Sequence, residues 1–180
     1  MTTMEKLEEL IYKGFKETDH KFRETDRKLK ELIKQSAGLN DSLGRFAENM
    51  VKPAVERLFA KRGIVLTDFY HRASSRLNGS TMEMDIIGAG PQHVIAVEVK
   101  LRLKQPEVDA HLEKLPRFFD FFERYRGLIL HGAVAGMSVD QGIDRYAYQC
   151  GLFVLTQSGE NVRLLNDEKF IPRAYTYSAK

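Results

Sequence analysis

The chain has 180 residues, 43% of them hydrophobic and 29% charged, with a formal net charge of +3. That composition excludes a disordered chain, and the single cysteine, Cys150, excludes an intramolecular disulfide or a zinc site built on several thiolates. No apolar run reaches the roughly 18 residues of a membrane span, and the opening MTTMEKLEEL lacks the form of a signal peptide, so a cytoplasmic setting is expected. The mild positive charge permits nucleic acid as a partner without demanding it.

Residues 15–35 carry a seven-residue repeat: FKETDHK, FRETDRK, LKELIKQ. Phe15, Phe22 and Leu29 fall at one seam position, and Ile11, Thr18, Thr25 and Leu32 at the other. Seven residues is the coiled-coil period, so residues 1–38 are expected to form an oligomerisation arm. A parallel pairing is favoured, because Lys21 then meets Asp26 of the neighbouring copy while an antiparallel pair brings like charges together. The alternative is a single solvated helix. Residues 36–42 (SAGLNDS) leave two readings open. Gly38 can end a helix with Asn40 or Asp41 capping the next, or the helix can run through, since Leu32, Leu39 and Phe46 keep the heptad in register.

The remainder, 39–180, reads as one domain. Residues 43–62 are expected to be helical, with Phe46, Met50, Val51, Val55, Leu58 and Phe59 as the apolar stripe, Pro53 as a kink or new first turn, and Gly63 as the stop. Strands are expected at 64–70, 81–87 and 93–100, with a polar loop at 72–80 and a turn at 88–92. A helical stretch at 106–125, interrupted at Pro116, precedes a buried strand at 128–135. A helix at 139–150 and short strands at 152–156 and 162–165 complete the order. Three consecutive strands followed by alternation predict an α/β fold with a mixed sheet flanked by helices.

The strand at 93–100 is predicted to be central, yet it carries Glu98 and Lys100, which alternation places on one face. The short turn before it makes 81–87 its antiparallel neighbour and brings Asp85 roughly opposite Glu98. Buried charges need partners. Two converging carboxylates suit a hard cation such as Mg²⁺ or Mn²⁺, and an adjacent lysine suits charge developing on phosphate. That is equipment for phosphodiester hydrolysis, in which the metal polarises the phosphoryl oxygen and acidifies the attacking water. The plainer reading is an ion pair near a sheet edge. Glu83 shares a face with Asp85 and could serve as an outer ligand, but it reads more simply as a solvated strand residue. His71, His93, His111 and His131 lack metal-ligand spacing, and Phe118, Phe119, Phe121 and Phe122 read as core.

These residues resemble the PD-(D/E)XK nuclease superfamily, the fold of restriction endonucleases and Holliday-junction resolvases. Gly44-Arg-Phe-Ala-Glu48 looks like its first-helix motif, Met84-Asp85-Ile86-Ile87 like its first metal-ligand strand, and Val97-Glu98-Val99-Lys100 like its second. The resemblance covers about residues 43–165, and the attached heptad arm is similar to a prokaryotic group of such proteins. It implies a restriction endonuclease-like sheet, with Asp85, Glu98 and the Val99 carbonyl as metal ligands. Lys100 would be catalytic, and Glu48 would reach the metal or its water. The proline that the superfamily places before the first aspartate is replaced by Met84. Between residues 51 and 76 stand six basic side chains and two acidic ones. Arg72 and Arg76, in the expected loop, are candidate contacts to DNA phosphates, which set affinity without reading sequence. Metal-dependent DNA cleavage is thus the expectation. The alternatives are a non-catalytic nucleic-acid binder that keeps the nuclease fold, or a coiled-coil scaffold.

Overall fold

The computed structural model describes residues 3–178; inside its first helix the side chains of residues 3, 5–12, 15, 17, 19, 32–43 and 46 lie outside the described set. The chain divides into two compact units, Met1–Ser42 and Leu43–Lys180. Helix α1 (Thr3–Ala60) passes through the boundary, so the backbone is helical through Gly38, and the unit boundary falls after Ser42.

In the first unit, Phe22 and Leu29 are 74% and 55% exposed. The two seam threonines are satisfied within the helix: Thr18 and Thr25 each donate to the carbonyl four residues back, at 2.8 Å. Glu24–Lys28 and Asp26–Lys30 add pairs at helical spacing. The other predicted seam residues, Ile11, Phe15, Leu32, Leu39 and Phe46, lie outside the described side chains.

The second unit is an α/β domain with a six-stranded mixed sheet in the order β1 (Asp68–Leu77), β2 (Ser80–Ala89), β3 (His93–Leu103), β4 (Ile129–Val139), β5 (Phe153–Ser158), β6 (Asn161–Leu164). The pairs β1–β2, β2–β3 and β5–β6 are antiparallel; β3–β4 and β4–β5 are parallel. Each parallel pair needs a crossover, which the helices supply. These are α2 (Gln105–Lys114) and α3 (Phe118–Phe121) between β3 and β4, and α4 (Ile143–Gln149) between β4 and β5. Pro116 falls in a 3₁₀ turn between α2 and α3, at the predicted interruption.

Helices cover both faces of the sheet. On one face Ala47, Val51, Val55 and Phe59 of α1 pack with Ile95, Val97, Ala133 and Leu155. On the other, Val108, Leu115, Phe118, Phe122 and Ala147 pack with Met84, Val94, Ala96, Leu130 and Val154. All four phenylalanines of the 118–122 cluster are buried, as core. Pro53 stays inside α1; it removes the donor for the Asn49 carbonyl, and Asn49 is on the exposed side.

Four sequence expectations change. Residues 72–80 are not a loop: β1 begins at Asp68 and continues to Leu77, and the turn is Asn78-Gly79, both at positive φ (49° and 79°). Residues 64–67 precede the strand, with Ile64 and Leu66 buried against α1. The β4 strand extends to Val139, so the following helix begins at Ile143 rather than at 139. Gly88 and Ala89 belong to β2.

The segment after β6 closes the domain. The Asn166 side chain accepts from the Val154 N–H at 2.7 Å and donates to the Leu152 carbonyl at 3.1 Å, standing in for a strand residue. Arg173 N–H donates to the Gly151 carbonyl, and Leu130 and Tyr175 exchange two backbone hydrogen bonds. Among the described residues no helix is long and apolar enough to cross a membrane.

Candidate functional site

The sheet forks where the predicted carboxylates sit. The β1–β2 ladder runs its full length, from Asp68↔Ala89 to Leu77↔Ser80. The β2–β3 ladder has only four pairs, ending at Ile86↔Val97, while β3–β4 continues to Leu103↔Val139. Extending the register puts Asp85 opposite Glu98, but there the backbone pairing stops. The Asp85 carboxylate takes its place: the Val99 N–H donates to Asp85 Oδ2 at 2.7 Å.

The fork also reverses the in–out order of β2. Met82 and Met84 pack in the same cluster as Ile87 and Ala89, whereas Ile86 packs on the opposite face. Strict alternation forbids that combination, so the reversal lies at Asp85. Across the hairpin, Arg72 lies between the pairs His71↔Ile86 and Ala73↔Met84, and its φ is 45°. A left-handed non-glycine residue costs about 1–2 kcal/mol. Its guanidinium pairs with buried Glu48 of α1, with Nε and Nη2 each 3.2 Å from a carboxylate oxygen.

Four of the predicted residues thus converge: Asp85, Glu98, Val99 and Lys100. Lys100 Nζ donates to Glu98 Oε1 at 2.6 Å and lies 3.8 Å from Asp85 Oδ2. Glu48 is held to Arg72, and its charge still reaches Asp85. Arg76 is exposed on β1 opposite Thr81, four residues along from Arg72; the two arginines stand on an edge strand, not on a loop. Glu83 is exposed.

The electrostatics divide the two carboxylates. Burial pushes the Asp85 carboxyl above its ordinary range, and the Glu98 charge pushes it further, against the Val99 N–H and Lys100. Burial also pushes Glu98 up, but hydrogen bonds from Lys100 and Lys114 outweigh it and leave Glu98 below its ordinary range. Burial disfavours the Lys100 ammonium, yet Glu98 and Asp85 raise it overall. Lys100 is therefore a cation, equipped to neutralise developing negative charge rather than to take up a proton.

Two further side chains reach this site from α2. Lys114 Nζ donates to Glu98 Oε2 at 2.9 Å and to the Glu83 carbonyl at 3.2 Å. His111, fully buried, has Nε2 3.1 Å from the Ala96 carbonyl, and its Nδ1 lies 3.9 Å from Glu98 Oε2 without a hydrogen-bond partner. No motif in the sequence connects either residue to the site. Their only sequence signal is the i, i+3 spacing, which puts both on one helix face.

Among the described residues, no group of three or more His, Cys, Asp and Glu side chains is drawn together as a metal site. The oxygen donors present are the two carboxylates at the fork. Mg²⁺ commonly binds through one or two carboxylates and keeps several waters. The chemistry of these carboxylate oxygens is compatible with a hard divalent cation.

Fold and site together define a three-layer α/β domain with a carboxylate–carboxylate–lysine cluster at a sheet fork. No family model matches the chain. No curated protein matches it either. Among solved structures, the crystal structure of AF1548, a protein of unknown function, aligns with a TM-score of 0.40 and 17% identity. The alignment covers 66% of this chain and 59% of that one, and so loose a likeness carries no argument about activity.

Proposed function

We propose that the chain is a divalent-metal-dependent nuclease of the PD-(D/E)XK kind, hydrolysing phosphodiester bonds in DNA. The observation that carries this reading is the convergence of Asp85, Glu98 and Lys100 where β2 and β3 part. Mg²⁺ or Mn²⁺, when bound, supplies Lewis acidity and an acidified water. Asp85 and Glu98 would hold the cation, with the Val99 carbonyl as a further oxygen. The Val99 N–H orients Asp85, and the Lys100 ammonium, held at Glu98 Oε1, would supply positive charge to the scissile phosphate. Glu48 acts from the α1 side, its reach set by Arg72. Arg76 and Arg72 are the proposed phosphate contacts along the β1 edge, and the exposed Phe22 and Leu29 seam is the proposed parallel contact between copies.

Purified protein should relax and linearise supercoiled plasmid with Mg²⁺ or Mn²⁺, and chelation should stop it. No cutting of DNA or RNA with either metal would sink the reading. A second reading, a nucleic-acid-binding protein that keeps this fold without catalysis, is favoured by one observation: both Glu98 oxygens are already occupied by lysines. DNA retention without cutting would decide for it.

A further inference from the structure

The fork leaves β2 and β3 without ladder bonds to each other beyond Ile86 and Val97; Asp85 spans the gap by accepting from the Val99 N–H, and a side chain from α2 spans it as well. Lys114 Nζ touches the Glu83 carbonyl on β2 and Glu98 Oε2 on β3. Glu98 is 8% exposed and divides its oxygens: Oε1 to Lys100, Oε2 to Lys114. The two lysines differ in what else they face. Lys100 stands between Glu98 Oε1 and Asp85 Oδ2, on the two carboxylates that would hold a divalent cation. Lys114 stands on the far oxygen, anchored to backbone. Behind it, His111 presents an unpartnered, fully buried Nδ1 toward the same Oε2. Its Nε2 faces a carbonyl and so carries the proton, which makes Nδ1 an acceptor. A second acceptor against Oε2 disfavours any carboxylate turn toward α2 unless a donor lies there, and Lys114 is that donor.

We propose that Lys114 is a positioning residue for Glu98. It pins Oε2 and ties the two diverging strands, so that Oε1 alone is presented to a metal when Lys100 gives up its place between the carboxylates. This rests on the nuclease reading. Without Lys114, Glu98 is free to turn and offer both oxygens to the metal, and one positive charge leaves its surroundings. Such a Glu98 would hold a divalent cation more tightly, with its carboxylate out of the orientation that Lys114 imposes. Residues that orient metal ligands typically change affinity or activity by about 10–100-fold.

The test compares wild type, Lys114→Met and Lys114→Arg. Mn²⁺ binding is followed by electron paramagnetic resonance, and plasmid cleavage is measured at saturating Mn²⁺. In Lys114→Met we expect Mn²⁺ affinity to rise severalfold while the cleavage rate falls by at least about tenfold. Lys114→Arg keeps a donor on Oε2 and should restore most of the rate. A merely structural lysine would lower both quantities together, and that result overturns the proposal, as does a Lys114→Met protein indistinguishable from wild type. Wild-type protein that takes up no Mn²⁺ overturns the nuclease reading and this inference with it. Wild-type binding with no split in the variant overturns the inference alone.

Discussion

From Val94 to Val97, strand β3 has a laddered neighbour on each side and every side chain is buried. From Glu98 to Leu103 it keeps only β4, and it carries Glu98, Lys100 and Arg102. The same strand is thus an ordinary sheet interior over one half and a polar wall over the other. A continuous sheet satisfies its backbone groups internally and leaves no polar partner for a buried carboxylate. A forked one frees N–H groups, and Asp85 uses one of them at Val99. The charges are placed where the sheet has stopped supplying its own hydrogen bonds, which makes burying them tolerable.

The contrast can be broken from either half. The largest expected effect is functional: Asp85→Asn should lower metal-dependent cleavage by more than about a hundredfold, since even outer-shell changes cost about 10–100-fold. Its folding stability should hold or rise. Burial and the Glu98 charge make the charged Asp85 carboxylate less favoured in the fold than in the unfolded chain, and asparagine keeps an oxygen for the Val99 N–H. Urea unfolding beside plasmid cleavage reads both. A large stability loss would mean that the fork depends on the charge.

The laddered half should respond the other way. Ile95 is fully buried in the cluster against α1, so Ile95→Ala should cost about 2–5 kcal/mol by urea denaturation. Cleavage per folded molecule should change little, and a specific loss of activity would mean that the two halves are coupled.

The smallest effect concerns the start of β4. Burial holds the His131 imidazole below its ordinary value of 6.5, against the Arg173 carbonyl facing Nδ1, while neighbouring His93 also lowers it. The folded ring is neutral where the unfolded chain takes up a proton. Its contribution is present above the ordinary value and is lost progressively as pH falls from there through the lowered folded value. The urea midpoint should therefore drop between about pH 7.5 and about pH 5.5, and His131→Asn should flatten part of that slope. Activity of the fork should not depend on this substitution.

The apolar strands were readable because the sequence pattern is also the packing pattern, as in HVIAVEVK. Strand β1 was not. At a sheet edge with most side chains in water, SSRL has no alternation to display, and a polar strand reads as a loop. The signal that would have found it is Asn78-Gly79, a two-residue hairpin turn. Asp85 facing Glu98 was legible from a short turn and period-two geometry. The fork was not, because it depends on where pairing stops, which is a property of the whole sheet. Lys114 and His111 were hidden for the same reason: only the packing of α2 on the sheet brings them to Glu98. The Arg72–Glu48 pair joins residues whose roles were each anticipated, metal side and phosphate side, without their contact.

The closing segment imposes an order in time. The Leu130 backbone waits for Tyr175, the Val154 N–H for Asn166, and the Gly151 carbonyl for Arg173. On a chain growing from its N-terminus, β4 emerges forty-five residues before its partner at Tyr175. At about 5–20 residues per second that is a delay of roughly 2 to 9 s. During it the sheet has helices for both faces but an unfinished rim, with backbone groups open to whatever strand comes first. The nascent domain is then most exposed to mispairing, and a chain cut before Asn166 would keep that rim open permanently.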